Sequence, residues 1–551
     1  MKKTKILLKK DTSKMTRIDY IIAATITTIY AILSFINLGS MNNPQTFNYL
    51  DENETLIIEF KEETDVIRTK FFSGDLAGEF AVYGSKDNND YDYITTIKSN
   101  GAFAWNEERI PSKVKYLKIL SITESSLGEI AFYNNKKEYI AINKVKLDNK
   151  STTNLTDEKK LIPKQISYMN STYFDEIYFA RTAYNYKEKI EAYEWTHPPL
   201  GKMIQAIPVL LFDKLTPFLY RLMGNISGII MIYAIYILSK LLFKSTKWAT
   251  VSSILLFFET LHFSQTRMGT VDGFLVLFII LSIYFMLRHV IIKNGKYDLA
   301  LSGIFFALSI SVKWTGFLGG LALAIIYFYD HFKNKKKLSK TILKGTIFFV
   351  VIPLIIYISI YLIYPKNTIN YTNSLSSIIK QTEQMHQYHS KLEDSHFFSS
   401  KWYTWPISYK PVWYYTEKMS NSKHASITGV GNIVILWVVL IAIPFMIIRL
   451  IKRKDEMSLY ILICILSLWL PYIFIGRVMF MYHYFPVIPF IILAVTYLLK
   501  TIEEKTKKKI ILPIYICLVI TFFIVYYPVI SGLPMNNNYF NYVKLFSNWY
   551  F

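Results

Sequence analysis

The chain has 551 residues, of which 52% are hydrophobic and 16% aromatic, and only 19% are charged. A soluble chain of this size carries about a quarter charged residues, so the balance excludes an ordinary soluble domain. The formal net charge of +22 does not point to nucleic acid, because the basic residues sit in short segments between apolar blocks and not on one folded polar face.

In chain order, a short basic segment within residues 1–17 (KKTKILLKKDTSK) precedes an apolar run over 18–38. The run lacks the short core and small-residue cleavage site of a cleaved signal peptide, so it reads as a signal anchor with a cytoplasmic N-terminus. Further apolar blocks lie at 219–243, 248–263, 274–292, 299–312, 316–332 and 342–364. Four more lie at 433–450, 459–475, 484–499 and 510–530. With the first, they predict about eleven membrane helices, N-terminus inside and C-terminus outside. The clusters at 333–337, 449–454 and 500–509 then all fall on the cytoplasmic side, as the positive-inside rule requires. Pro353 and Pro444 read as kinks. Both cysteines, Cys464 and Cys517, fall inside apolar runs, so no disulfide framework is legible.

Two polar stretches, 41–218 and 365–428, fall outside. The first holds short alternating segments (TLIIEF, RTKFF, EFAVYG, YITTIK, VKYLKIL, EIAFYN, YIAINKVKL), which predict an inserted β-sandwich over 41–160. Its pattern resembles a discoidin-like, carbohydrate-binding jelly roll, which implies a glycan as partner. A spacer or docking module without a ligand is the other reading. The chain thus divides into 1–40 (basic N-terminus and first span), 41–160 (β-domain), 161–218 (first outer loop), 219–364 (spans two to seven), 365–428 (a second outer loop) and 429–551 (the last four spans and outer C-terminus).

Five segments gather ionisable residues at the predicted outer ends, where membrane-edge charge is costly and marks chemistry. YFDEIYFARTAY holds Asp175 and Glu176. EWTHPPLGKMI holds His197 and Lys202, SQTRMGTVDGF holds Arg267 and Asp272, SVKWTGF holds Lys313, and GRVMFMYHYFPVIPF holds Arg477 and His483. Any one of these cations alone reads as a snorkelling side chain. Together at one face, cations, a histidine and an acidic pair suit an anionic lipid-linked sugar. The cations would stabilise charge developing on a leaving phosphate. Asp175 would take the proton of an attacking hydroxyl.

FDE, then HPPLGK, then an Arg and an Asp five residues apart, then SVKW-x-G, resembles the protein O-mannosyltransferase family. The loop MHQYHSKLEDSHFFSSKWYTWPISYKPVWYY strengthens the likeness to the bacterial members, with Lys410 where that pattern more often has Arg. The resemblance spans about residues 166–499 and implies the polytopic α-helical fold called GT-C, in a bacterial plasma membrane. It implies an inverting glycosyltransferase that moves mannose from polyprenyl-phosphate-mannose to Ser or Thr of translocated proteins, with coupling to the translocon a further possibility. Asp175 and Glu176 would be catalytic, and His197, Lys202, Arg267, Asp272, Lys313, Arg477 and His483 would hold donor phosphate and sugar. His386, His389, His396, Trp402 and Trp405 would shape the acceptor side. No tightly bound cofactor or metal is implied, the loose histidine triplet notwithstanding. The β-domain departs from the bacterial pattern, so transfer to a lipid or cell-wall polymer, as in the related aminoarabinose transferases, is the alternative. A lipid-linked-sugar transporter fits less well, since no internal repeat is visible. A glycan sensor would not need so many spans.

Overall fold

The computed structural model describes residues 14–148, 150–293, 295–364, 374–391, 395–419 and 422–551. The predicted basic N-terminal tail therefore lies largely outside the described residues, as do 392–394 of the second loop. The first helix, Arg17–Phe35, opens on a capping box: Thr16 and Asp19 each bind the other's backbone amide. Asp19 is also held at 2.9 Å by Lys240 of the long helix Pro217–Phe243.

Eight helices among the described residues are long and apolar enough to cross a membrane. The predicted count of about eleven is higher because three further helices fall short of that measure. Thr246–Phe257 ends at a break before Thr260–Thr266, Asp298–Val312 has 15 residues, and Gly316–Lys333 ends in the polar run Tyr329-Asp330-His331. Burial separates centre from rim. Met481–Thr506 is 89% buried in its apolar window, whereas Leu338–Ile363 is 11% buried and turns its apolar surface outward, as a lipid-facing helix does. In that helix a π-turn, Ile347–Val351, stands just ahead of Pro353, which has no N–H to continue an α-helical ladder.

The polar insertion forms a single eight-stranded antiparallel sheet bent over its own core, a half-barrel in place of two separate sheets. Its strands are β1 (Asn48–Leu50), β2 (Thr55–Ser73), β3 (Glu79–Ser85), β4 (Asp92–Lys98), β5 (Trp105–Ser121), β6 (Ser125–Tyr133), β7 (Ile142–Leu147) and β8 (Lys150–Ser151). The main order is β1-β6-β2-β5-β3-β4. What reads as separate short strands, TLIIEF and RTKFF, is one long β2 whose register against β5 shifts between Glu59 and Thr64. Such an irregularity bends a strand without ending it. Alternating residues of β2 and β5, among them Leu56, Ile58, Leu117 and Ile119, fill the core. A second apolar cluster joins Phe72, Phe103 and Trp105 to Ala180, Ala183 and Tyr184 of the helix Glu176–Glu188. The β-domain is therefore packed against the helix that starts beside Asp175.

Candidate active site

Asp175 sits at the N-cap of Glu176–Glu188, and its side chain does not cap the helix. Phe174 before it has φ +49°, in the left-handed region that costs a non-glycine residue about 1 kcal/mol or more. That turn is held by the ring of Tyr414, 4.8 Å away. Burial pushes the Asp175 carboxyl up to about 7; Lys313 opposes the shift and Asp272 and Glu194 add to it. The carboxylate takes no hydrogen bond or salt bridge among the described residues.

Its neighbour Glu176 has the opposite setting. It is fully buried, and Arg221 binds both of its oxygens at 2.7 Å. The Gly269 amide donates to it at 2.8 Å. Arg221 spends its remaining donors on the carbonyls of Leu38, Tyr168 and Ser171. Glu176 is thus the pin that fixes the loop from which Asp175 projects.

A cavity of about 580 Å³ opens where four segments meet. Thr196, His197 and Pro198 supply one wall, Lys313 and Trp314 a second, His389 a third, and Gly476 with Arg477 a fourth. The first wall is brought close by Gly201, where an added Cβ would meet Val271 at 2.8 Å and Val312 at 3.0 Å. Lys313 binds Asp272 at 3.0 Å, and Asp272 begins the helix Asp272–Ile292, where a carboxylate is favoured by the helix dipole. Arg477 Nη1 donates to His389 Nδ1 at 2.8 Å, while His389 Nε2 donates to the Thr196 carbonyl at 2.8 Å. Only the neutral Nε2–H tautomer satisfies both bonds. Burial first, then His197, Arg477 and Lys313, holds His389 near 4 and so in that form.

The other predicted residues are placed as follows. Lys202 is buried and reaches Glu194 at 2.8 Å and the carbonyls of Glu194 and His197, so it shapes the His197 loop from behind. Arg267 donates to the carbonyls of Ser34, Ile36 and Asn37 and clasps the end of the first helix. His483 is stacked between Tyr482 and Trp405. Trp405 is fully buried, with its indole N–H on Ser400. Trp402 lines a neighbouring cavity of about 820 Å³ that shares Arg477. His386 and His396 are exposed, and His396 packs on Phe480, so the histidine triplet does not converge. Lys410 lies over Phe397. No group of three or more His, Cys, Asp or Glu is placed to hold a metal among the described residues.

Sequence reasoning missed Glu194, Arg221, Trp314 and Tyr414. Glu194 accepts from His197 at 3.0 Å as well as from Lys202. Burial opposes its ionisation, yet the Lys202 ammonium and the His197 imidazole beside it outweigh burial and hold its carboxyl far below the usual range. The legible signal for Arg221 was an arginine inside an apolar helix, which demands a partner.

A family model described as dolichyl-phosphate-mannose-protein mannosyltransferase matches residues 196–359, and one described as the C-terminal four-transmembrane region of protein O-mannosyltransferase matches 374–549. The chain belongs to the protein O-mannosyltransferase family. The polyprenol-phosphate-mannose–protein mannosyltransferase of Mycobacterium tuberculosis is 21% identical over 421 residues, covering 64% of this chain and 80% of its own length. Its counterpart in Mycolicibacterium smegmatis is 22% identical over 425 residues, with 64% and 81% coverage. Among solved structures, the S. cerevisiae protein O-mannosyltransferase Pmt1–Pmt2 complex bound to the sugar donor has the same fold, with TM-score 0.61 and 14% identity over 69% of this chain and 89% of that one. The protein is a multi-pass membrane glycosyltransferase of the GT-C fold, and all four cavity walls carry residues within the ranges matched by the mannosyltransferase models. Asp175 and the β-domain precede the matched residues.

Proposed function

We propose that this chain transfers mannose from polyprenyl-phosphate-mannose to Ser or Thr hydroxyls of proteins at the extracytoplasmic face of the membrane, with inversion at the anomeric carbon. The observation that carries it is the cavity that joins Arg477, Lys313, His197 and His389, with a half-buried and unpartnered Asp175 in electrostatic reach of Lys313. Among the described residues Arg477 makes one hydrogen bond, to a neutral imidazole, and keeps donors for a phosphate. As the glycosidic bond breaks, negative charge grows on the phosphate oxygen, and Arg477 and Lys313 stabilise it in a site poor in water. Asp175 accepts the hydroxyl proton as the oxygen attacks. Phe474, 89% exposed at the cavity edge, offers an apolar path for the polyprenyl tail.

The orientation rests on charge. The far end of the bundle carries Lys333, Lys247 and Arg449, paired with Glu456, Glu503 and Asp455. With the surrounding lysines, that end is the basic one, which the positive-inside rule assigns to the cytoplasm.

The test is transfer by purified enzyme in lipid, with polyprenyl-phosphate-mannose labelled in the sugar and secreted proteins and membrane lipids offered together. Label on Ser or Thr, lost in Asp175→Asn, is the expected result. Label only in lipid or polymer would replace the acceptor and keep the chemistry, and turnover of a different polyprenyl-linked sugar would replace the donor.

A further inference from the structure

A third cavity, about 740 Å³, lies between the β-domain and the membrane body. One side is β2, β5 and the end of β6; the other is the connecting segment 162–166 and the strand Val412–Met419. Its charge is unbalanced. Six cationic side chains line it against three carboxylates. Arg68 and Lys70 are both committed to Glu107, at 3.0 and 3.6 Å, and Lys70 also donates to the carbonyls of Pro163 and Lys164. Arg109, Lys137, Lys164 and Lys418 are exposed and have no ion-pair partner among the described residues. Burial biases the two remaining carboxyls, Glu108 and Glu417, toward the neutral form, with Glu107 adding to the effect at Glu417. The indole N–H of Trp105, in the cavity wall, has no acceptor among the described residues. Such a wall attracts an acidic segment of extended chain whose carbonyls take up unpaired donors.

The strand Val412–Met419 ties this cleft to the reaction site. Tyr414 packs on Phe174, next to Asp175, and Glu417 and Lys418 stand three and four residues farther along the same strand. At about 3.3 Å per residue, the cleft begins roughly 10–13 Å from the turn that holds Asp175. An extended peptide covers that distance in three to four residues.

We infer that this cleft is an acceptor-binding site for extended polypeptide bearing acidic side chains about four residues from the modified Ser or Thr. The inference rests on the protein-mannosylating reading above and adds to it a sequence preference supplied largely by residues ahead of the matched family region.

The experiment uses the full enzyme in lipid with labelled polyprenyl-phosphate-mannose and three synthetic peptides. They are alike except for Glu, Gln or Lys at the fourth residue on either side of a single Thr. The expected result is a KM lowest for the Glu peptide and highest for the Lys peptide, roughly tenfold apart, with similar kcat. The surface variant Lys164→Glu/Lys418→Glu should reverse that order and leave the donor KM little changed. Because both lysines are exposed, the fold should tolerate the change, and an unchanged melting temperature checks this. Equal KM values for the three peptides, or a variant that keeps the wild-type order, would overturn the cleft assignment alone. Transfer to none of the peptides and to no secreted protein would overturn the protein-mannosylating reading and the cleft with it.

Discussion

Two arginines at the same end of the bundle show how one residue type serves opposite ends. Arg221 has its donors filled by Glu176 and three backbone carbonyls, and it is buried. Arg477 touches a neutral histidine and faces a cavity. The first is neutralised by its own chain, so removing its partner strands a charge in a dry interior. The second is left short of counter-charge, which is the condition of a group that meets its anion only when substrate arrives. The adjacent carboxylates repeat the contrast, with Glu176 consumed by the fold and Asp175 held back from it.

Substitutions can break this comparison. Asp175→Asn should lower kcat by about 10²- to 10⁴-fold, the range for losing a general base, while donor affinity and melting temperature stay near wild type. Steady-state transfer kinetics beside thermal unfolding would check it; a matching loss of stability would place Asp175 with the pins. Glu176→Gln should do the converse, costing about 3–5 kcal/mol of stability through the stranded Arg221. Thermal unfolding in detergent reads this directly, and full stability with lost turnover would move Glu176 into the chemistry. Arg477→Gln should raise donor KM about tenfold to a hundredfold, the worth of one charge-assisted hydrogen bond, measured with the Thr peptide held saturating. The pH profile gives the smallest and finest test. Asp175 must be ionised to accept a proton, and its carboxyl is raised to about 7. The rate should therefore climb with pH, about tenfold per unit below that point, and level off above it. Since Lys313 opposes the rise, Lys313→Met should move the midpoint to higher pH.

The segments that build the site were legible because a charge at the edge of an apolar block is expensive and so informative. Which side chain of a segment faces the cavity was not. Asp175 and Glu176 are neighbours at a helix start, where successive residues point about 100° apart, and the string DE does not say which one turns inward. The same ambiguity hid the role of Lys202, which looks like a phosphate ligand in HPPLGK until Glu194 is found beside it. Lys313 could be read as an outer-end cation, but its partner Asp272 is 41 residues away and only the packed bundle joins them. The span count of about eleven and the eight long apolar helices differ for another reason. Thr246–Phe257 and Asp298–Val312 sit in a bundle where neighbours cover them, so neither needs the length of a lipid-exposed helix. In the β-domain the alternation was readable, while the register shift that turns two apparent strands into one bent β2 depends on its partner β5.

The cluster of Phe72, Phe103 and Trp105 on the helix Glu176–Glu188 has a consequence for protein engineering. The β-domain is no detachable cassette. An enzyme trimmed of it would bare a patch of Ala180, Ala183 and Tyr184 to water and loosen the helix that begins beside Asp175. A shortened version would need small polar replacements on that helix face before it could be secreted into detergent as a stable catalyst. A domain borrowed from a relative would have to bring its own three aromatic rings in the same arrangement.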